Sequence, residues 1–331
     1  MIRRALATAT LLAGLAAPAS ALCVGESYLD TMSDDQLDQL AQVVDALPYG
    51  EGLTYSATRG DDRLTIVGTM HIYDPRLESI RARVSADVQG ADLVILEATA
   101  TEEQQLRDLI TTNPGLIFIV DGPTLPELLD EETWAQLADA ASQRSIPGFM
   151  AAKMQPWYLS LLLSVPPCAM DDLIDGATGL DKMIASDAEA AGVPVMAIEP
   201  FDTLFGLFDE APIDAQIDML RINMLAPDMQ SAMFVAMLDR YFAEDVGRLW
   251  EMGRIAMSDV PGIDPEEGQA MFTEMEEALL FTRNRNWIPV ITEATADHDD
   301  IVVAVGAAHL IGELGILQLL EDEGWTISRF P

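Results

Sequence analysis

Residues 301–309 read IVVAVGAAH, five consecutive apolar residues followed by a glycine, two alanines and a histidine. A continuous apolar run bounded by glycine is the pattern of a strand buried on both faces of a parallel sheet. Residues 64–71, LTIVGTMH, repeat it: apolar run, Gly68, two residues, His71. The chain has 22 glycines and three histidines. A given histidine would have glycine three places before it about one time in fifteen, so two of three by chance is on the order of one in a hundred. In an open α/β sheet, ligands bind outside the carboxyl ends of the strands, where a glycine lets backbone and ligand approach closely. His71 and His309 are therefore expected at the same edge of one sheet.

Working outward, residues 93–96 (LVIL) form a short buried-strand signal that stops at Glu97, and residues 194–198 form another that stops at Glu199. Residues 53–58 and 63–68 are β-like runs separated by Gly60-Asp61-Asp62, which reads as a hairpin. Helical signals lie between the strands. A Ser33…Gln36 capping box opens a helix to about residue 46, and a second helix covers residues 75–88. Residues 101–190 and 212–296 are rich in helical periodicity, with Pro289 expected to kink or end the last helix. An apolar helix over 312–323 and a final strand over 325–330 complete the chain. Alternating strands and helices give an α/β class: a layered sheet with flanking helices, in which the helix-rich segments cover the strand ends.

The 331 residues carry 55 acidic and 18 basic side chains, a formal charge of −37. Such a surface repels nucleic acid and anionic headgroups, whose binding relies on clustered Lys and Arg. Arg3 and Arg4, an apolar run over residues 5–17 and Ala19-Ser20-Ala21 read as a signal peptide over residues 1–21, which sends residues 22–331 to the periplasm or outside the cell. Its removal takes two arginines and leaves −39. Leu22, where a small residue is wanted, argues against a lipoprotein at Cys23. No later segment is long and apolar enough for an integral membrane span. The two thiols, Cys23 and Cys168, either pair across a long loop or stay apart; neither sits in a CxxC or beside a histidine.

Two imidazoles and one or two carboxylates at one sheet edge can hold a divalent ion with positions left open for water. His71, His309 and Glu97 are the candidate ligands, with Glu97 or Glu199 as the base that takes a proton from the water. Each also has a bland reading, the histidine as a turn bonded to a backbone carbonyl and the glutamate as a solvated strand end. His298, within ADHDD, reads as a solvated loop residue. The HExxH and GxSxG motifs are absent. Nine of the 17 methionines fall within residues 212–275, where they either fill gaps between helices or build an adaptable apolar surface.

Several segments together resemble the TraB/GumN family, relatives of the TIKI metalloproteases: VGTMH (67–71), LVILE (93–97), KMQPW (153–157), GLDKMI (179–184), GVPVMAIEP (192–200), TRNRNW (282–287) and VGAAHLIGELGILQLLEDEGW (305–325). They span most of residues 22–331 in family order. The resemblance implies a fold akin to erythromycin esterase and the haem-binding ChaN proteins, and a metal-dependent hydrolase, most simply a peptidase, using Mn, Co or Zn. It adds Arg283 as a catalytic group that assists the oxyanion. Thr282, where the family has Glu, and Pro200, where it commonly has Thr, depart from the pattern.

The leading expectation is thus an exported metal-dependent hydrolase acting on a peptide or small-molecule substrate. Two alternatives stand beside it. One is a metal-independent esterase-type hydrolase with His71 or His309 as general base; the other is a binding protein for haem or another apolar ligand that uses a histidine and the methionine-rich helices.

Overall fold

The computed structural model describes residues 23–170, 178–203, 205–206, 211–258, 260 and 263–330. The expected signal peptide lies outside them. Six strands form one sheet: β1 (Thr54–Arg59), β2 (Asp62–Thr69), β3 (Leu93–Leu96), β4 (Val195–Ala197), β5 (Asp300–Gly306) and β6 (Thr326–Arg329), in the order β4-β3-β5-β2-β1-β6. β4, β3, β5 and β2 are mutually parallel, whereas β1 runs antiparallel to β2 and to β6. The expected hairpin closes with Arg59 opposite Asp62, and Gly60 at φ 67° supplies its left-handed residue.

Burial explains why the apolar runs are strands. All four residues of β3 and five consecutive residues of β5 are buried, as expected where helices cover both faces of a parallel sheet. The core around the sheet takes in Leu77, Ile80, Val84 and Val88 from the helix Leu77–Gly90 and Leu180, Ile184 and Ala188 from the helix Leu180–Ala191. A second apolar cluster, with Leu125, Leu137, Leu159, Leu163 and Ile217, lies within the helix-rich segments between β3 and β5.

Cys23 and Cys168 are paired, with Cα atoms 5.4 Å apart, which settles the alternative left open by the sequence. One helical expectation needs correction, and one of two alternatives for another is excluded. The helix expected over 312–323 runs only over Ile316–Asp322, because Gly312 sits at φ 83° and a Cβ on Gly315 would lie 2.3 Å from the Ile311 carbonyl oxygen, so this stretch turns instead. Pro289 does not end its helix, which continues over Thr282–Ala294. That helix follows Pro265–Glu276 through a π-turn, Glu277–Phe281.

Met229, Met233, Met237, Met252 and Met257 line an apolar cavity of about 430 Å³ between helices. Among the described residues its wall carries no histidine, so a haem there would lack the imidazole that the ligand-binding reading supposes.

Candidate active site

The carboxyl ends of the four parallel strands share one edge, and each delivers one expected residue. In sheet order these are Glu199 after β4, Glu97 after β3, His309 after β5 and His71 after β2. The two glycine–histidine motifs lie on neighbouring strands, with Thr69 in register with Gly306. A Cβ on Gly68 would approach Leu310 Cδ1 to 2.9 Å and Ala307 Cα to 3.1 Å, so the first motif's glycine makes room for the turn Ala307–His309 of the second. Tyr241 Oη donates to the Gly68 carbonyl at 2.9 Å and fixes the strand end from above.

Arg283 stands among three of these residues. Its Nη2 donates to Glu97 Oε2 and to Glu199 Oε1, each at 2.6 Å; Nε donates to Glu199 at 3.2 Å; Nη1 donates to the Leu279 carbonyl at 2.9 Å and faces His309 Nε2 at 3.2 Å. All five guanidinium hydrogens are thereby directed at acceptors. Leu279 belongs to the π-turn, a distortion that recurs at functional sites. Arg283 itself is 5% exposed. Glu97 also accepts the Gly306 N–H at 2.7 Å, and Glu199 accepts Trp287 Nε1 at 2.9 Å. The Trp287 ring lies against His309, with centroids 4.3 Å apart, and the Arg283 guanidinium lies 4.6 Å from the Trp287 centroid.

The tautomer of His309 follows from its neighbour. Asn284 Nδ2 donates to the carbonyls of Leu314 (2.8 Å) and His309 (3.3 Å), which turns Asn284 Oδ1 toward His309 Nδ1 at 2.6 Å. Nδ1 therefore carries the proton, and Nε2 presents its lone pair to Arg283. Burial, with Arg283 and His71 adding to it, lowers the His309 pKa to about 3 against the opposing pull of Glu97, so the ring is neutral at pH 7. For Glu97 burial alone would raise the pKa, but His309, His71, Arg283 and the Gly306 N–H outweigh it and hold the carboxyl at about 2.

His71 differs from the other three. Its side chain is 63% exposed, and its Nδ1 lies 3.3 Å from Asp181 Oδ1. Asp181 raises its pKa above the ordinary value, with Glu97 helping and Arg283 opposing. Asp181 stands in the first turn of the helix Leu180–Ala191, and Gly179 is what lets that turn reach His71. A Cβ on Gly179 would lie 2.3 Å from the Met70 carbonyl oxygen and 2.5 Å from His71 Cα, and Leu180 N–H donates to that same Met70 carbonyl at 2.9 Å.

Strand-end reasoning thus brings Glu97, Glu199 and His309 together around Arg283 and leaves His71 at the rim. It missed Asp181, Gly179, Asn284 and Trp287. A signal for Trp287 was present: Arg283 and Trp287 are four apart in a helix and so share a face. Asp181, in contrast, reaches His71 through a contact 110 residues away in sequence that no local pattern announces.

The model of the TraB/PrgY/gumN family matches residues 53–329, which holds all four strand-end residues and Arg283. The chain belongs to the TraB/PrgY/gumN family. No curated protein and no solved structure shows significant similarity to it.

The family resemblance implies a metal held by His71, His309 and Glu97. Among the described residues no three His, Cys, Asp or Glu side chains stand close enough together to hold one ion. Arg283 engages both His309 Nε2 and Glu97 Oε2, the atoms that would turn to a metal. As placed, His71, His309 and Glu97 do not fit a divalent ion, and the cation between the two carboxylates is the guanidinium.

Proposed function

We propose that this family member is a hydrolase whose general base is His71, oriented by Asp181. The observation that carries this reading is the division of labour between the two histidines: one exposed, with a carboxylate behind Nδ1, the other buried, neutral and bonded on both nitrogens. With Nδ1 turned to Asp181, His71 offers Nε2 to a water. It takes a proton as the water oxygen bonds to the substrate carbonyl carbon, and returns that proton to the leaving amine or alkoxide as the bond to carbon breaks.

The buried carboxylates support this chemistry through charge. Glu97 favours the imidazolium that forms on His71 during proton transfer, and Glu199, paired with Arg283, offsets part of the opposing guanidinium charge. Arg283, with its donors engaged, acts as a fixed positive charge rather than as a direct oxyanion donor, so the contact expected of it would require release from Glu97 or His309. A peptide or an ester bond suits this apparatus equally.

The test is cleavage of an unfolded polypeptide and of a small p-nitrophenyl ester by wild type, His71→Ala and Asp181→Asn. Loss of turnover in His71→Ala is the expected result; undiminished turnover on both substrates overturns the assignment.

A further inference from the structure

β4 is an edge strand. Its inner side is fully used: Val94 N–H donates to the Pro194 carbonyl at 2.9 Å and Ile198 N–H to the Leu96 carbonyl at 2.7 Å, so residues 194, 196 and 198 face β3. By the alternation of a strand, the N–H and C=O of Val195 and Ala197 face away from the sheet. Among the described residues, neither makes a hydrogen bond on that side. A groove of about 480 Å³ runs along this edge, with Thr99, Thr101 and Glu102 lining it together with Val195, Ala197 and Glu199.

We propose that the free edge of β4 is a docking strand for an extended segment of a substrate polypeptide, which adds to the sheet and is led into the catalytic cluster. Two observations select this occupant. First, two outward N–H and C=O pairs at strand spacing are matched by another extended main chain, and side chains alone cannot satisfy them in register. Second, β4 ends at Glu199, which is bonded to Arg283 and Trp287, so a chain paired with Val195–Ala197 lies along the strand whose carboxyl end shares the sheet edge that carries Glu97, His309 and His71. The opposite edge, β6, lacks the second feature, since neither it nor β1 carries a site residue.

This inference rests on the hydrolase reading for the fate of the docked chain but not for the docking itself. The probe is reduced, iodoacetamide-alkylated lysozyme, an unfolded cationic polypeptide that suits the acidic surface. Hydrogen–deuterium exchange of the wild-type protein is followed with and without saturating probe. The expected result is at least tenfold slower exchange at the Val195 and Ala197 amides. Ala197→Pro removes an outward N–H while leaving the ladder to β3 intact, and is expected to weaken probe binding at least tenfold. Unchanged exchange at these amides overturns the proposal, as does unchanged affinity in a folded Ala197→Pro variant; the wild-type exchange decides the matter if that variant does not fold. Cleavage of the probe without protection of β4 would overturn the docking strand and leave the hydrolase. Protection without cleavage would do the reverse.

Discussion

Nη1 of Arg283 and Nε2 of His309 face each other at 3.2 Å, with the imidazole proton held on the far nitrogen by Asn284. The arrangement makes the second glycine–histidine motif a support for the guanidinium, and it separates the roles of two histidines that look equivalent in sequence.

Removing that guanidinium strands two largely buried carboxylates, whose side chains are 15% and 10% exposed. Arg283→Met is expected to destabilise the fold by ~3–5 kcal/mol, the range for breaking a buried ion pair by deleting one partner. A urea-unfolding midpoint within error of wild type would show that Glu97 and Glu199 do not depend on it.

His309 links stability to pH with a definite sign. Its folded pKa of about 3 lies below the ordinary 6.5, so the unfolded chain binds the extra proton between those values. The contribution is fully present above pH 6.5 and is lost as pH falls toward 3. At about 1.4 kcal/mol per unit, it amounts to a few kcal/mol. His309→Gln should flatten the dependence of unfolding free energy on pH between 6.5 and 4, measured by denaturant titration; an unaltered slope would mean that the ring is not held neutral. His71 has the opposite sign, because its raised pKa stabilises at low pH and fades as pH rises through it.

Asp181→Asn removes the largest influence that raises the His71 pKa. The acidic limb of the pH–rate profile should therefore move to lower pH, and turnover at the optimum should fall, by no more than the roughly 10²–10⁴-fold that an assisted proton transfer supplies. A limb that stays in place would remove Asp181 from the mechanism.

Gly179→Ala puts a methyl group against the backbone at Met70 and His71. The expected cost is roughly 1–3 kcal/mol of stability, typical of overpacking, together with loss of turnover as Asp181 moves from His71. Thermal unfolding and activity measured on the same preparation check both.

Much of this was legible in the chain. IVVAV and LVIL could be assigned because strands buried on both faces read as uninterrupted apolar runs, and the parallel order then placed four strand ends on one edge. What lay outside local pattern was tertiary in origin. Pro289 is accommodated within a helix whose packing, not its propensity, decides its length, and residues 310–315 turn because Gly315 meets the Ile311 carbonyl. The family resemblance gave Arg283 a role on the substrate, assisting the oxyanion. Its five hydrogen bonds instead place it between the carboxylates, and one of them goes to a carbonyl of a π-turn that no periodicity reveals.

The central claim, that His71 and Asp181 activate water without a resident ion, is tested most directly by metal analysis and turnover on the same dialysed protein. Wild type should retain turnover after exhaustive chelation while His71→Ala has none, with transition metal well below about one ion per chain. About one tightly held ion per chain, lost together with turnover on chelation and absent from His71→Ala/His309→Ala, would contradict the claim and assign His71, His309 and Glu97 to a metal.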